Sequence, residues 1–549
     1  MSSNRILVIL GGVVAVLVIA MVAVSIAVIS HSSGGKSNGS TSGNNSAAPK
    51  PKAGTALRLP GSDPLTLDPA LAFDVDSATY IVELYGGLLT LDKDLKLVPD
   101  IAKEMPSVSS DGKVYTFKLR DDVVFTGNNR RVTAQDFKYS MERAADPKND
   151  SPTADTYLGD IVGAKDMIRS KAKEISGVKV IDDSTLQITI DAPKPYFLAK
   201  LTYPTAFVVD KQQVESDPRN WTRKPHGTGP FILQQWNIGQ NITLVPNPKY
   251  HLGVPALQQV YFQLAGGSSL TQYENNELDV SGVSINDIER VRDKNDALNK
   301  EFHEKPALST GYIAFNVHQP PFDDPKVRQA FSQAVDKDQL VTVILKNEAD
   351  KANGILPPTM PGFSKDIKGL QYDPNAAKQL LQQSKYGSKL PPIQLTTSGQ
   401  GANVGPVTEA IVQMWKTNLG VDVTIQQVEA ATFLQDTKKG KYQMWDAGWS
   451  ADYPDPENFL SINFKSDSQG NDEKYSNSNV DKLLDQANTE LDQTKRFSLY
   501  QQAEQLIVDD AAWLPLFFDK DEVLIKPYVK GYEPVGMVIP ILRFASIQK

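Results

Sequence analysis

A chain of 549 residues exceeds what one hydrophobic core supports, so two or three domains are expected. Its composition is globular, 40% hydrophobic and 22% charged, and a net charge of −8 without any Lys/Arg run argues against a nucleic-acid partner. The absence of cysteine excludes disulfides, thiolate metal sites, a cysteine nucleophile and the residue that a bacterial lipoprotein acylates, and the five scattered histidines (His31, His226, His251, His303, His318) form no zinc-binding H-E-x-x-H pair.

From Ile6 to Ile29 the chain is apolar and uncharged, enough to cross a bilayer core with some tilt. Arg5 and the terminal amine precede it, so the positive-inside rule keeps the N-terminus in the cytoplasm and exports the rest. A single-pass signal anchor is expected over residues 1–30. The rival reading is a cleavable signal peptide ending near "AVS" (Ala23 to Ser25), although the run exceeds the usual apolar region of ~7–15 residues. Residues 31–54 are rich in Ser, Gly, Asn and Pro and read as a flexible tether, spanning on the order of 25–30 Å.

Beyond the tether, "VYTFKLR" alternates Tyr115, Phe117 and Leu119 on one face and predicts a half-buried strand. Thr133 and Asp136 have capping-box spacing and open a helix. "VKVIDDSTLQITI" predicts a hairpin, with Val178 and Val180 facing Leu186 and Ile188 across a turn at Asp182-Asp183. Asp324-Pro325 starts a helix whose Val327, Phe331, Ala334 and Val335 recur at helical spacing, and Asp373-Pro374 repeats the device. "PIQLTTS", a glycine-rich turn, "VTEAIVQMWKTNLG" and "VDVTIQQV" make one βαβ unit, and "EQLIVDDAAWLPLFF" reads as a helix running into a strand.

No catalytic motif emerges. The turn "GQGANVG" places glycines at Gly399, Gly401 and Gly405, which is not the dinucleotide spacing; it is either a tight βα turn or a helix N-terminus that favours an anion. "GWSAD" lacks the second glycine of a nucleophile elbow. Asp452 and Asp455 could be a glycosidase pair, but Asp455 lies between two prolines, where an Asx-turn suits it better.

Many segments stand in one order: "LDPA", "LYGGLLTLDKDLKLVPDIA", "SSDGKVYTFKLRDDVVFTGNNRRVTAQDFKYSMERAADP", "GTGPFIL" with "VPNPKY", "NNELDV", "YIAFNVHQPPFDDPKVRQAFSQAVDKDQL", "YDPNAAKQLL" and "GWSADYPDPENFL". Together, from about Ala56 onward, they resemble the extracytoplasmic solute-binding proteins of the oligopeptide-binding family, which feed ABC importers. The resemblance implies an α/β, two-lobed periplasmic-binding-protein-like fold (type II, cluster C) with an extra α+β subdomain. Residues 55–90, 200–308 and 511–549 would form lobe I, 91–199 the extra subdomain, and 309–510 lobe II. It further implies a monomer without catalytic activity, cofactor or metal, whose partners are an oligopeptide and ABC permease subunits.

In peptide-binding members the ligand runs extended along a "GWSA"-like backbone and its α-amino group pairs with the aspartate that follows. That resemblance assigns main-chain contacts to Gly448, Trp449, Ser450 and Ala451, the ion pair to Asp452, and facing contacts to Phe73, Asp74 and Val75. A turn-stabilising role for Asp452 is the alternative. The chain departs from the family at three points. Asp446 stands where an arginine helps to bind a short peptide's carboxylate, "SGQGANVG" replaces a histidine-bearing loop, and Thr153 replaces a tyrosine. The amine end of the site is thus expected to persist, while the backbone of Gly399 and Gly401 is left as the carboxylate contact. An oligosaccharide or nickel-chelate receptor on the same fold, or a membrane-tethered sensor or enzyme, are the other readings.

Overall fold

The computed structural model describes residues 50–387, 389–399 and 404–548. The expected anchor over 1–30, most of the tether and Gly401 lie outside them. Among the described residues no helix is long and apolar enough to cross a membrane.

Alternation of Tyr115 and Phe117 with smaller polar neighbours produces the strand Val114–Lys118, which buries those two side chains. It lies in a four-stranded antiparallel sheet between Ser107–Val108 and Thr185–Thr189, with Val178–Asp182 at the far edge. The predicted hairpin is present with Val178 opposite Ile188 and Val180 opposite Leu186. Its turn falls one residue later than expected, at Asp183-Ser184, because Asp182 pairs with Thr185 across a bulge. The helix Ala134–Ala145 begins at Thr133 with the expected capping box and buries Phe137 and Met141 in the same core.

A second core surrounds a four-stranded sheet ordered Leu57–Pro60, Val260–Gln263, Asn241–Pro246 and Phe231–Asn237. The chain's end closes it: Val529, Leu542 and Ala545 pack with Leu57 and Phe262.

The other lobe is built on a seven-stranded sheet. Along it run Val280–Gly282, Trp513–Ile525, Phe302–Phe315, Met444–Ser450, Ile393–Ser398 and Val423–Val428, with Ala349–Lys351 also paired to Trp513–Ile525. The βαβ unit is here: Ile393–Ser398 and Val423–Val428 are parallel, connected by the helix Pro406–Leu419, whose Trp415 is fully buried and donates its indole N–H to Phe331 O at 2.9 Å. Asp324 and Asp373 cap their helices as read, each with proline in the first turn. The two longest strands, Phe302–Phe315 and Trp513–Ile525, are antiparallel neighbours. At one end Ile525 joins the core of the first lobe; at the other Ile313 and Leu514 join the core of the second. Two strands therefore carry the chain between two lobes, the arrangement that permits hinge closure.

Several carboxyls are buried without ionic partners among the described residues. Burial pushes Glu83 and Glu473 up to about 8 and Glu504 to about 7. Each keeps one oxygen without a hydrogen bond, which suits an un-ionised acid. These groups hold protons in the folded state that the unfolded chain releases above its ordinary carboxylate pKa of ~4.5. Their contribution to stability is complete below that value and is lost as pH rises through 7 to 8, at up to ~1.4 kcal/mol per pH unit per group. The thermal midpoint is expected to fall between pH 5.5 and 8.5, and less steeply in Glu504→Gln. A midpoint that rises over that interval would contradict this.

Candidate ligand-binding site

The strand Met444–Ser450 pairs along its whole length with Phe302–Phe315, from Met444 opposite Phe315 to Ser450 opposite Ser309. On its other side Ile393–Ser398 reaches only Met444 and Trp445. Asn316 N–H donates to Gln443 O at 2.9 Å and Ala451 N–H to Leu308 O at 2.8 Å, so odd-numbered residues spend their backbone groups on the long strand. Antiparallel alternation then turns the N–H and C=O of Gly448 and Ser450 to the open edge. Trp445, Ala447 and Trp449 point to the opposite face from Met444 and join Tyr312 and Phe433 in an apolar wall.

This edge borders a cavity of 320 Å³ between the lobes. Phe73, Asp74, Val75, Gly448, Trp449, Ser450, Ala451 and Asp452 all line it, brought together from segments far apart in sequence. Among the described residues Lys438 is its only cation, paired with Asp472 at 3.1 Å.

Asp452 follows the strand and is half-buried. Its Oδ2 accepts from the Tyr157 hydroxyl and from Asn458 Nδ2 at 3.1 Å. Asn458 Oδ1 in turn takes the backbone N–H of Asp452 and the indole N–H of Trp449, each at 3.1 Å, which fixes the carboxylate's plane. Among the described residues none donates to Oδ1. Burial pushes the Asp452 carboxyl up to about 6; the Tyr157 and Asn458 bonds oppose that shift, and Glu457 adds to it. Tyr157 stacks on Tyr203 with ring centres 3.7 Å apart and meets Tyr453 edge-on at 6.4 Å.

The other candidates are placed as follows. Asp74 caps the helix Val75–Leu84 through Oδ1, which accepts from Ser77 N–H at 2.8 Å; its Oδ2 is buried without a partner among the described residues. Asp446 shares the face of Met444 and accepts from Thr408 Oγ1 at 2.7 Å, so its carboxylate does not line the cavity. Gly399 spends its N–H on Val428 O at 2.9 Å and does not line the cavity either. Asp455 is a helix cap held by Arg496 through two bonds of 2.6 and 2.8 Å, the structural role expected of it. Tyr157 and Asn458 were not anticipated. Asn458 lies six residues past Asp452, and Tyr157 one helical turn past Thr153, whose hydroxyl bonds Thr205 at 2.7 Å instead of reaching the cleft carboxylate.

The family of bacterial extracellular solute-binding proteins, family 5 Middle, matches residues 96–471. The chain belongs to this family. It is 33% identical to the probable deoxycholate-binding periplasmic protein YgiS of Escherichia coli, over 86% of this chain and 89% of that one. It is 32% identical to the periplasmic oligopeptide-binding protein OppA of the same organism, over 87% and 89%. Among solved structures, the murein tripeptide binding protein MppA of Escherichia coli superposes with a TM-score of 0.82 at 30% identity, over 90% of this chain and 98% of that one. The unliganded open form of MppA superposes at only 0.66, so the lobes of this chain are not in that open arrangement.

Proposed function

We propose that the chain is the extracytoplasmic substrate-binding component of an ABC importer, capturing oligopeptides between its lobes and delivering them to a membrane permease. The observation that carries this is the open edge at Gly448 and Ser450 ending beside Asp452, whose Oδ1 has no donor among the described residues. An extended peptide adds to that edge as a further strand. Its α-ammonium then meets Oδ1, giving a charge-assisted bond where the carboxylate is already held by two donors. Residues 55–90, 200–308 and 511–549 act as one lobe and 309–510 as the other, with 91–199 as the added subdomain. Binding energy is used to favour the closed state.

A second reading has its own support. The wall of Tyr312, Phe433, Trp445 and Trp449 suits an amphipathic, non-peptide solute, and one relative is named for deoxycholate. Mass spectrometry of small molecules released by denaturing the purified protein separates the two. Short peptides with unblocked N-termini are expected; a steroid or sugar without peptide would overturn the peptide assignment.

Residues 1–30 anchor the protein to the membrane and 31–54 tether the binding region outside the cytoplasm. N-terminal sequencing of protein from its host should begin at or next to Met1, in the membrane fraction. A start near Ile26 would mean that the segment is cleaved.

A further inference from the structure

Behind the cavity, two charged side chains that do not line it meet across the seam between the lobes. Lys200 ends the helix Phe197–Lys200, whose Phe197 packs in the core of the Val114–Lys118 sheet. Glu457 is in the first turn of the helix Pro456–Phe464, whose Phe459, Leu460 and Phe464 pack in the core of the other lobe with Trp513. Lys200 Nζ has three protons and three acceptors: Thr156 O at 3.0 Å, Asp160 Oδ2 at 3.1 Å and Glu457 Oε1 at 3.0 Å. The first two lie on its own side of the seam. Glu457 is the acceptor from across it, and both side chains of that pair are 5% exposed. The second oxygen of Glu457 takes the Tyr453 hydroxyl.

The pair is wired to the amine site on both sides. Thr156, which Lys200 holds, precedes Tyr157, and Tyr157 reaches Asp452. Tyr453, which Glu457 holds, follows Asp452. Two links therefore cross the seam side by side, Tyr157 to Asp452 and Lys200 to Glu457, with the ring of Tyr157 against Tyr453 between them.

Charge fixes the direction of the effect. Asp160 is shared by Lys200 and by Lys194, the latter at 2.5 Å, and Lys194 also takes Asp191 at 2.7 Å on the exposed rim. Burial alone would lower the Lys200 pKa, but Asp160 and Glu457 outweigh it and leave the ammonium charged. Burial, with the nearby Asp160 charge, raises the Glu457 carboxyl although Lys200 and Tyr453 pull it down, so the pair holds its charge best away from acid pH. The remaining charges along the seam, including Lys465 with Asp467 and Asp485, pair mostly within their own lobe. Closing the lobes without Glu457 would bury the Lys200 charge against half its present compensation.

We propose that Lys200 and Glu457 are positioning residues, an ion pair that holds the lobes closed, tightening every ligand by one common factor. This rests on the cleft being the ligand site. A receptor whose binding-competent conformer is less populated loses apparent affinity by that fraction, whatever the ligand. A contact made by the ligand itself would instead discriminate between ligands.

The chain's lack of cysteine permits a direct test. Spin labels on Lys179→Cys, exposed in the subdomain whose core holds the Lys200 helix, and on Gln502→Cys, exposed in the lobe that carries Glu457, report the distance across the seam in the full, ligand-free chain. Glu457→Gln, nearly isosteric and still able to accept from Lys200, is expected to move the distances toward longer values. Calorimetry should show a loss of roughly tenfold that is equal, within twofold, for a free-amine peptide and its N-acetylated form. Lys200→Met should do the same, and the double variant should be no weaker than either single one, as coupled partners require. Unchanged distances, or a loss confined to one of the two peptides, would overturn the proposal. If Lys200→Met fails to fold, Glu457→Gln decides. If no peptide binds at all, the peptide reading falls while the distances still settle the ion pair.

Discussion

Asp452→Asn is expected to weaken binding of free-amine peptides by about 2–5 kcal/mol, the range for breaking a desolvated charge pair. The substitution keeps the side chain's shape and its Asn458 contact. It removes the charge facing the ammonium, and the amide can turn a donor toward a group that is itself a donor. The same carboxylate gives the binding a pH signature. Its pKa of about 6 in the free protein must fall when an ammonium arrives, so binding releases a proton at acid pH. Affinity should therefore drop as pH falls through 6 and level off above it, until the peptide's amine (pKa ~7.7–8.0) begins to lose its own proton. Asp452→Asn should shrink the acid limb to the part that protonation of Glu457 contributes through the Lys200 pair. Calorimetric titrations at a series of pH values check both points, and a full-strength acid limb in the variant would place the responsible group elsewhere.

The next largest effect is expected at Gly448. Its N–H faces the open edge and not the Phe302–Phe315 strand, so proline there removes no existing ladder bond, and the preceding Ala447 is already in the extended conformation that proline requires. Gly448→Pro should leave folding intact while depriving the ligand of one main-chain donor. An acceptor left unpaired in a closed cleft costs about 1–3 kcal/mol, roughly 5- to 150-fold in affinity. Gly448→Ala is the control: a Cβ there meets nothing nearer than Thr310 O at 3.7 Å, an ordinary contact. The loss in Gly448→Pro should be the same for free and acetylated peptides, unlike that in Asp452→Asn. Wild-type affinity in Gly448→Pro would exclude strand addition at this edge.

What was legible in the sequence was whatever is decided locally. Thr133 with Asp136, Asp324 with Pro325, and Asp373 with Pro374 each satisfy a helix terminus with neighbouring atoms, and all stand as read. The hairpin turn slipped by one residue because a bulge, which depends on the partner strand, decided it. Asp446 and Gly399 illustrate the limit. Whether a strand residue faces the cleft depends on register with strands far away in sequence, and pairing with Ile393–Ser398 turns Asp446 toward the helix that carries Thr408. The expectation that Gly399 offers a free N–H failed for the same reason, since Val428 already accepts it. Tyr157 and Asn458 carry no motif of their own. They matter through distance to Asp452, and only the folded chain supplies that.

Pairing of Asp452 with a peptide's α-ammonium is tested most directly by calorimetric titration of the unmodified protein at pH 7 with one peptide, first with a free N-terminus and then N-acetylated. If the α-ammonium pairs with Asp452, acetylation removes the charge and two of the three donors, and affinity should fall at least tenfold, the scale of a charge-assisted bond worth ~1.5–3 kcal/mol. Equal affinity for the two forms would contradict the assignment of Asp452 and with it the peptide's orientation in the cleft.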